Sequence, residues 1–231
     1  MPKYLQIMMY IFIPIAILIG LFMFWATRAV PLPQNANKVG NFIHIDISDG
    51  AKDEDERKKS LFIVPEKFKP NVFEGGFAFY FKSSDESPYA GNETPIPSDR
   101  IRVVVRHYTK VGAARSISVL KNPQLKGGSR NAPYFVENRD GLEIYKHQYA
   151  KEESAVSTYY SFTAVDGNRV LVEDPYDWSR SYQVERKISP HIELTYFVSK
   201  PLVRDSQHFI EDITAVEKLV LKLVQSFQSK S

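Results

Sequence analysis

Four glutamates, Glu143, Glu173, Glu185 and Glu193, lie in stretches where polar and apolar residues alternate. A pair of carboxylates on facing strands is the main requirement of glycoside hydrolysis. Sequence spacing alone does not bring any two of the four together, so an envelope hydrolase working with carboxylates is the lesser alternative. The five histidines, His44, His107, His147, His191 and His208, form no HExxH and no i,i+4 pair on a helix. His107 and His147 fall in strand-like stretches and could approach across a sheet. Gly75-Gly76 and Gly127-Gly128 fall short of phosphate-cradling patterns: "LKGGSRN" lacks GxxxxGK, and neither GxGxxG nor the GxSxG elbow occurs. Asp53 and Asp55 are spaced like the start of a calcium loop, but its central glycine and closing glutamate are missing. With no cysteine in the chain, disulfides, thiolate nucleophiles and Cys-based metal sites are excluded. The expectation is a chain with no catalytic residues, no cofactor, no metal and no small-molecule ligand.

Two loops have the composition of contact surfaces instead. Residues 83–99, "SSDESPYAGNETPIPSD", are too long for a hairpin turn and carry Asp85, Glu86, Tyr89, Glu93 and Asp99. Residues 173–182, "EDPYDWSRSY", add Tyr176, Asp177, Trp178, Arg180 and Tyr182. Tyrosine, tryptophan and arginine are the residues most enriched at interface hot spots, and loops on a rigid scaffold commonly carry binding. These ten residues are the candidate partner-binding set. Between them lies a basic loop, residues 122–135, with Lys126 and Arg130. The net charge of +3 falls to +1 once Lys3 and Arg28 are subtracted, which is no electrostatic footprint for nucleic acid.

The elements that hold these loops follow from periodicity. Residues 5–26, "LQIMMYIFIPIAILIGLFMFWA", contain no charge. As a helix they extend about 33 Å, enough to cross a hydrocarbon core of roughly 30 Å. A cleaved signal peptide is the rival, but its apolar region is shorter and ends in small residues, whereas this one ends in Phe24-Trp25. Residues 1–28 are thus expected to be a transmembrane anchor and 29–41 a linker. Residues 42–231 would form one domain. The short tail before the span favours a cytosolic N-terminus and a single-pass plasma-membrane protein, its domain in the periplasm or outside the cell.

Within that domain the period is two. Ile43, Ile45 and Ile47 share a face, as do Phe77, Phe79 and Phe81, and Ile101, Val103 and Val105 oppose Arg102, Val104 and Arg106. Asp166-Gly167-Asn168 supplies a hairpin turn, and Ser189-Pro190 joins a second strand pair. The charge run 48–60 reads as a solvated connection. Over 205–228, Phe209, Ile213, Val216, Val220, Leu223 and Phe227 repeat at a spacing only a helix aligns, with Asp205 or Ser206 as its cap. The fold class expected is α+β: a twisted antiparallel sheet packed by a C-terminal amphipathic helix. An anchor, a lone domain and no catalytic motif is the organisation of periplasmic immunity proteins, which bind and neutralise antibacterial effector proteins. That analogy of organisation makes another protein, such as a secreted effector toxin, the expected partner, with the membrane met through residues 5–26. The alternative is an accessory or structural subunit of a cell-envelope complex.

Overall fold

In the computed structural model the described residues are 32–48, 53–89, 96–107, 133–148, 156–175 and 179–228. Contacts divide the chain into Met1–Leu32 and Pro33–Ser231, and the fold below is that of the second unit. The apolar stretch 5–26 lies outside the described residues. No helix among those described is long and apolar enough to cross a membrane.

Strand β1 (Ala36–Val39), β2 (Phe42–Asp46) and β3 (Leu61–Pro65) form a small antiparallel sheet in that order. The remaining strands are β4 (Asn71–Phe73), β5 (Gly76–Lys82), β6 (Arg100–His107), β7 (Tyr134–Arg139), β8 (Leu142–Gln148), β9 (Val156–Thr163), β10 (Arg169–Asp174), β11 (Ser181–Lys187) and β12 (Ile192–Ser199). Among the described residues they make a nine-stranded sheet ordered β4-β5-β6-β12-β11-β10-β9-β8-β7. Every neighbouring pair is antiparallel. Two helices complete the unit, α1 (Glu54–Lys59) and α2 (Phe209–Phe227).

The alternation read from sequence decides which side of the large sheet is dry. Phe77, Phe79 and Phe81 of β5, Ile101, Val103 and Val105 of β6, and Leu194, Tyr196 and Val198 of β12 are all buried in one core. Against that face lies α2, whose six spaced apolar residues are all buried; each such side chain contributes about 1.5–3 kcal/mol of burial energy before entropy. The small sheet shares the same core. Phe62 of β3 meets Phe77 at 5.1 Å between ring centroids, and Phe227 of α2 meets Phe68 at 5.2 Å and Phe79 at 5.3 Å.

Turn chemistry agrees with the sequence at both expected hairpins. Gly167 adopts φ +80° between β9 and β10, and Asp166 Oδ1 accepts from Asn168 N at 3.1 Å. Ser189 Oγ accepts from Ile192 N at 3.1 Å and so closes the turn before β12.

Four expectations are corrected. Residues 36–39 of the supposed linker are β1, paired to β2 from Ala36↔Ile45 to Val39↔Phe42. The charge run 48–60 contains α1: Asp53 caps it by accepting from Asp55 N and Glu56 N, with acids in the first turn and bases in the last. The C-terminal helix begins at Phe209, not at 205. The carboxylate of Asp205 is spent on Gln207 N and His208 N, which turns the chain ahead of the helix, and the N-cap position falls to His208 with no side-chain cap. The end of the basic loop 122–135 is taken up by β7, an edge strand whose six residues are all exposed.

Candidate partner-binding surface

Antiparallel pairing brings the two candidate loops to the same end of the large sheet. Lys82 at the end of β5 pairs with Arg100 at the start of β6, and Ser181 at the start of β11 pairs with Ser199 at the end of β12. The described bases of the two loops, residues 83–89 with 96–99 and residue 175 with 179–180, therefore lie at one end of the sheet. Only β12 separates β6 from β11, a gap of about 10 Å at the usual strand spacing.

Asp85 is exposed, and its carboxyl is held below the usual range by hydrogen bonds from the Ser87 side chain and backbone. Asp99 closes the base of the first loop, accepting from Ser84 Oγ at 2.5 Å. Glu86, at φ +57°, receives Lys222 Nζ at 2.7 Å and so ties the loop to α2. Tyr89 is not available to a partner. It is 5 % exposed, its ring lies 6.2 Å from that of Tyr80, and the Arg100 guanidinium covers both rings. Glu93 lies outside the described residues.

Of the second loop, Tyr176, Asp177 and Trp178 lie outside the described residues, while Arg180 is exposed. Tyr182 turns inward. Its ring stands 5.4 Å from Phe209 of α2 and beneath Lys200 Nζ at 5.5 Å. Burial first, and then the nearby Asp174 charge, push its hydroxyl up to about 12. Tyr182 thus helps seat the helix rather than standing out as an anchor. The loop end keeps Asp85, Asp99 and Arg180 at or near its surface.

The four glutamates all fall on the face of the large sheet opposite the core, because each alternates with a core residue. Glu143 receives the Arg169 guanidinium, with the Tyr145 hydroxyl donating to it at 2.9 Å. Glu173 accepts from the Tyr159 hydroxyl at 2.9 Å and Glu185 from Gln183 Nε2 at 2.7 Å. Glu193 is buried, at 7 % exposure. Glu143 and Glu173 accept from residues of other strands and Glu185 from its own strand, roles structural carboxylates fill without chemistry.

His107 and His147 do not meet. His107 points into the core side of β6, and His147 lies on the other face of β8, five strands along. His107 instead faces α1: its Nε2 lies 2.7 Å from Glu56 Oε1, and His191 Nδ1 approaches the same oxygen at 3.3 Å. Both imidazoles aim at one carboxylate rather than at a shared vacancy. Among the described residues no three such side chains could hold a metal ion.

No family model matches the chain, and no curated protein matches it. A solved structure does share its architecture. The fold resembles that of an immunity protein. That protein belongs to the Stenotrophomonas maltophilia type IV secretion system. The likeness covers 86 % of this chain and 100 % of that one, with a TM-score of 0.50 and 11 % identity. The iron-regulated outer membrane lipoprotein FrpD of Neisseria meningitidis is matched over 86 % of this chain and 96 % of its own, at a TM-score of 0.38 and 12 % identity.

Two features were given no role in the reading of sequence. One is an ion pair inside the core: Arg186 of β11 meets Glu217 of α2, both almost wholly buried, and Asp166 at the hairpin turn. The signal was present, since Arg186 shares parity with the core residue Val184 and so needs an acid across from it. The other is the set of arginines on the outer side of β6. Arg100, Arg102 and Arg106 alternate with the buried Ile101, Val103 and Val105. Arg102 lies over Phe197 at 5.4 Å and Arg106 over Phe73 at 5.6 Å.

Proposed function

We propose that this chain is a non-catalytic protein-binding protein of the immunity type. The N-terminal apolar segment 5–26 holds it in the plasma membrane as a single span, and the domain stands outside the cytosol. There it binds and neutralises an antibacterial effector. The observation that carries this reading is the loop end of the large sheet, where the bases of two contact-type loops lie two strands apart on a scaffold of paired strands. The shared architecture with a secretion-system immunity protein supports it. A membrane tether would hold the domain where an incoming effector arrives and raise its effective concentration.

The test is survival. Secreted antibacterial effectors are directed one at a time to the periplasm of a bacterial host, with and without this chain. Co-expression is expected to restore growth, and to keep doing so when residues 1–28 are replaced by an unrelated single-span anchor. Unrelieved toxicity, together with failure of the two proteins to form a complex, would overturn the reading. Relief that vanishes with the foreign anchor would point to a subunit whose own span makes the essential contacts.

A further inference from the structure

We infer that the outer face of the small sheet, the side turned away from the core, docks on the surface of an anionic lipid bilayer. The inference rests on the single-span reading of residues 5–26 and adds a second contact with the same membrane.

Strand pairing sets three rows of side chains on that face: Val39–Phe42–Pro65, Asn37–His44–Ile63 and Asp46–Leu61. The residues alternating with them, Ile43, Ile45, Phe62 and Val64, are buried in the core. A sheet face left to water is ordinarily polar. Here Val39, Phe42 and Leu61 stand 53 %, 45 % and 37 % exposed, and Ile63 and Pro65 are half-buried. At the Phe42 end, Asn41, Phe42, Pro65, Glu66, Lys67 and Lys69 line one open hollow. Glu66 is paired with Lys38. Lys67 and Lys69 are exposed and make no ion pair among the described residues. Asp46, at the opposite end of the face, accepts from Ser48 N at 2.8 Å. The unpaired positive charge is therefore gathered beside the most exposed apolar residues.

Two observations choose a lipid surface over a protein. The first is the course of the chain. Strand β1 begins ten residues after the apolar stretch ends at Ala26, a reach of at most about 35 Å. The small sheet is thus the part of the fold entered first from the span. The second is size. Three strands of four or five residues cover roughly 10 by 17 Å. That is well short of the ~800 Å² per partner of a stable protein interface. A patch so small captures little from free solution, but a tethered domain meets its bilayer at high effective concentration. Val39 and Phe42 would then enter the headgroup boundary while the lysine stems carry their charges to lipid phosphates.

The chain has no cysteine, so a single one can be placed as a probe. Val39→Cys lies on the face, and Val165→Cys, 95 % exposed between β9 and β10, is the control. Each carries an environment-sensitive nitrobenzoxadiazole label on the full chain in lipid nanodiscs. With phosphatidylglycerol in the disc, the label at 39 is expected to shift to the blue and to be quenched by a lipid bearing a shallow doxyl group. The label at 165 should show neither change. Phe42→Ser should remove most of both changes at 39. Lys67→Gln with Lys69→Gln should lower the ratio of docked to undocked label about fivefold per lysine. All of these positions are exposed, so thermal unfolding should match the parent chain. Quenching at 39 no stronger than at 165, or equally strong in discs of neutral lipid alone, overturns this inference and leaves the membrane-anchored reading standing. A blue shift without quenching that grows with the number of chains per disc assigns the face to a second copy and also overturns it. Release of the parent chain from vesicles by alkaline carbonate shows that residues 5–26 do not span, and overturns both.

Discussion

Replacing Glu217 by glutamine preserves its shape and removes the charge that answers Arg186. The Arg186 side chain is 1 % exposed and that of Glu217 3 %, whereas Asp166, the second partner, is 47 % exposed. Breaking a fully buried pair by removing one member costs about 3–5 kcal/mol, because the remaining charge is stranded. Asp166 still faces the guanidinium from the solvent side, so the loss here is set at about 2–4 kcal/mol. For a unit of this size each kcal/mol moves the thermal midpoint by about 2–4 °C, giving a drop of roughly 5–15 °C. Calorimetry of the parent and the variant measures it. The companion variant Arg186→Met with Glu217→Leu fills the same volume without charge and should unfold within about 1 kcal/mol of the parent, or above it. A drop below about 1 °C in the glutamine variant, or a double variant as unstable as the single one, would refute the reasoning.

Other outcomes follow from the same contacts. Gly76→Ala would place a methyl group 2.5 Å from both the Val105 carbonyl oxygen and the Phe73 ring; it should destabilise the domain by about 1–3 kcal/mol in urea unfolding. Tyr182, pushed up to about 12, and the half-buried Tyr160 and buried Tyr196, raised in the same direction by burial, give an alkaline limit. Unfolded tyrosines titrate near 10, so stability is intact below about pH 10 and drains as pH rises towards 12; Tyr182→Phe should remove part of that slope. Asp166 behaves in the opposite sense. Burial raises its carboxyl, but hydrogen bonds from Asn168 and Arg186 outweigh this and hold it low. Its contribution is present above the ordinary carboxylate range and lost as pH falls through its lowered value, so Asp166→Asn should flatten acid unfolding. Lys222→Ala breaks an exposed pair with Glu86 and should cost under about 1 kcal/mol, while speeding hydrogen exchange at residues 85–87.

What the sequence made legible was periodicity. Ile43, Ile45 and Ile47, the phenylalanines of β5 and the six seam residues of α2 are buried as their spacing requires, because a two-sided environment imprints itself on alternate or every third-to-fourth residue. The elements that went unread lack that imprint. All six residues of β7 are exposed and α1 buries none, so neither carries an apolar rhythm; α1 announces itself only through its Asp53 cap and its charge gradient. Strand order is also invisible locally. That β12 lies between β6 and β11 depends on pairing between residues some ninety positions apart. At the candidate surface, composition misled where parity would have helped. Tyr182 shares parity with Val184 and Arg186 and goes inward with them, while the β6 arginines, alternating with Ile101, Val103 and Val105, go out.

The central claim is that this chain acts by occupying a partner, with no turnover. The most direct measurement takes the effector whose toxicity this chain relieves and titrates its toxic activity with increasing amounts of the full chain. The account predicts a linear fall to zero at one chain per effector, with activity regained when the complex is dissociated. Complete loss at a small fraction of one equivalent, with the effector left permanently altered, would mean that the chain modifies its target catalytically and would contradict the account.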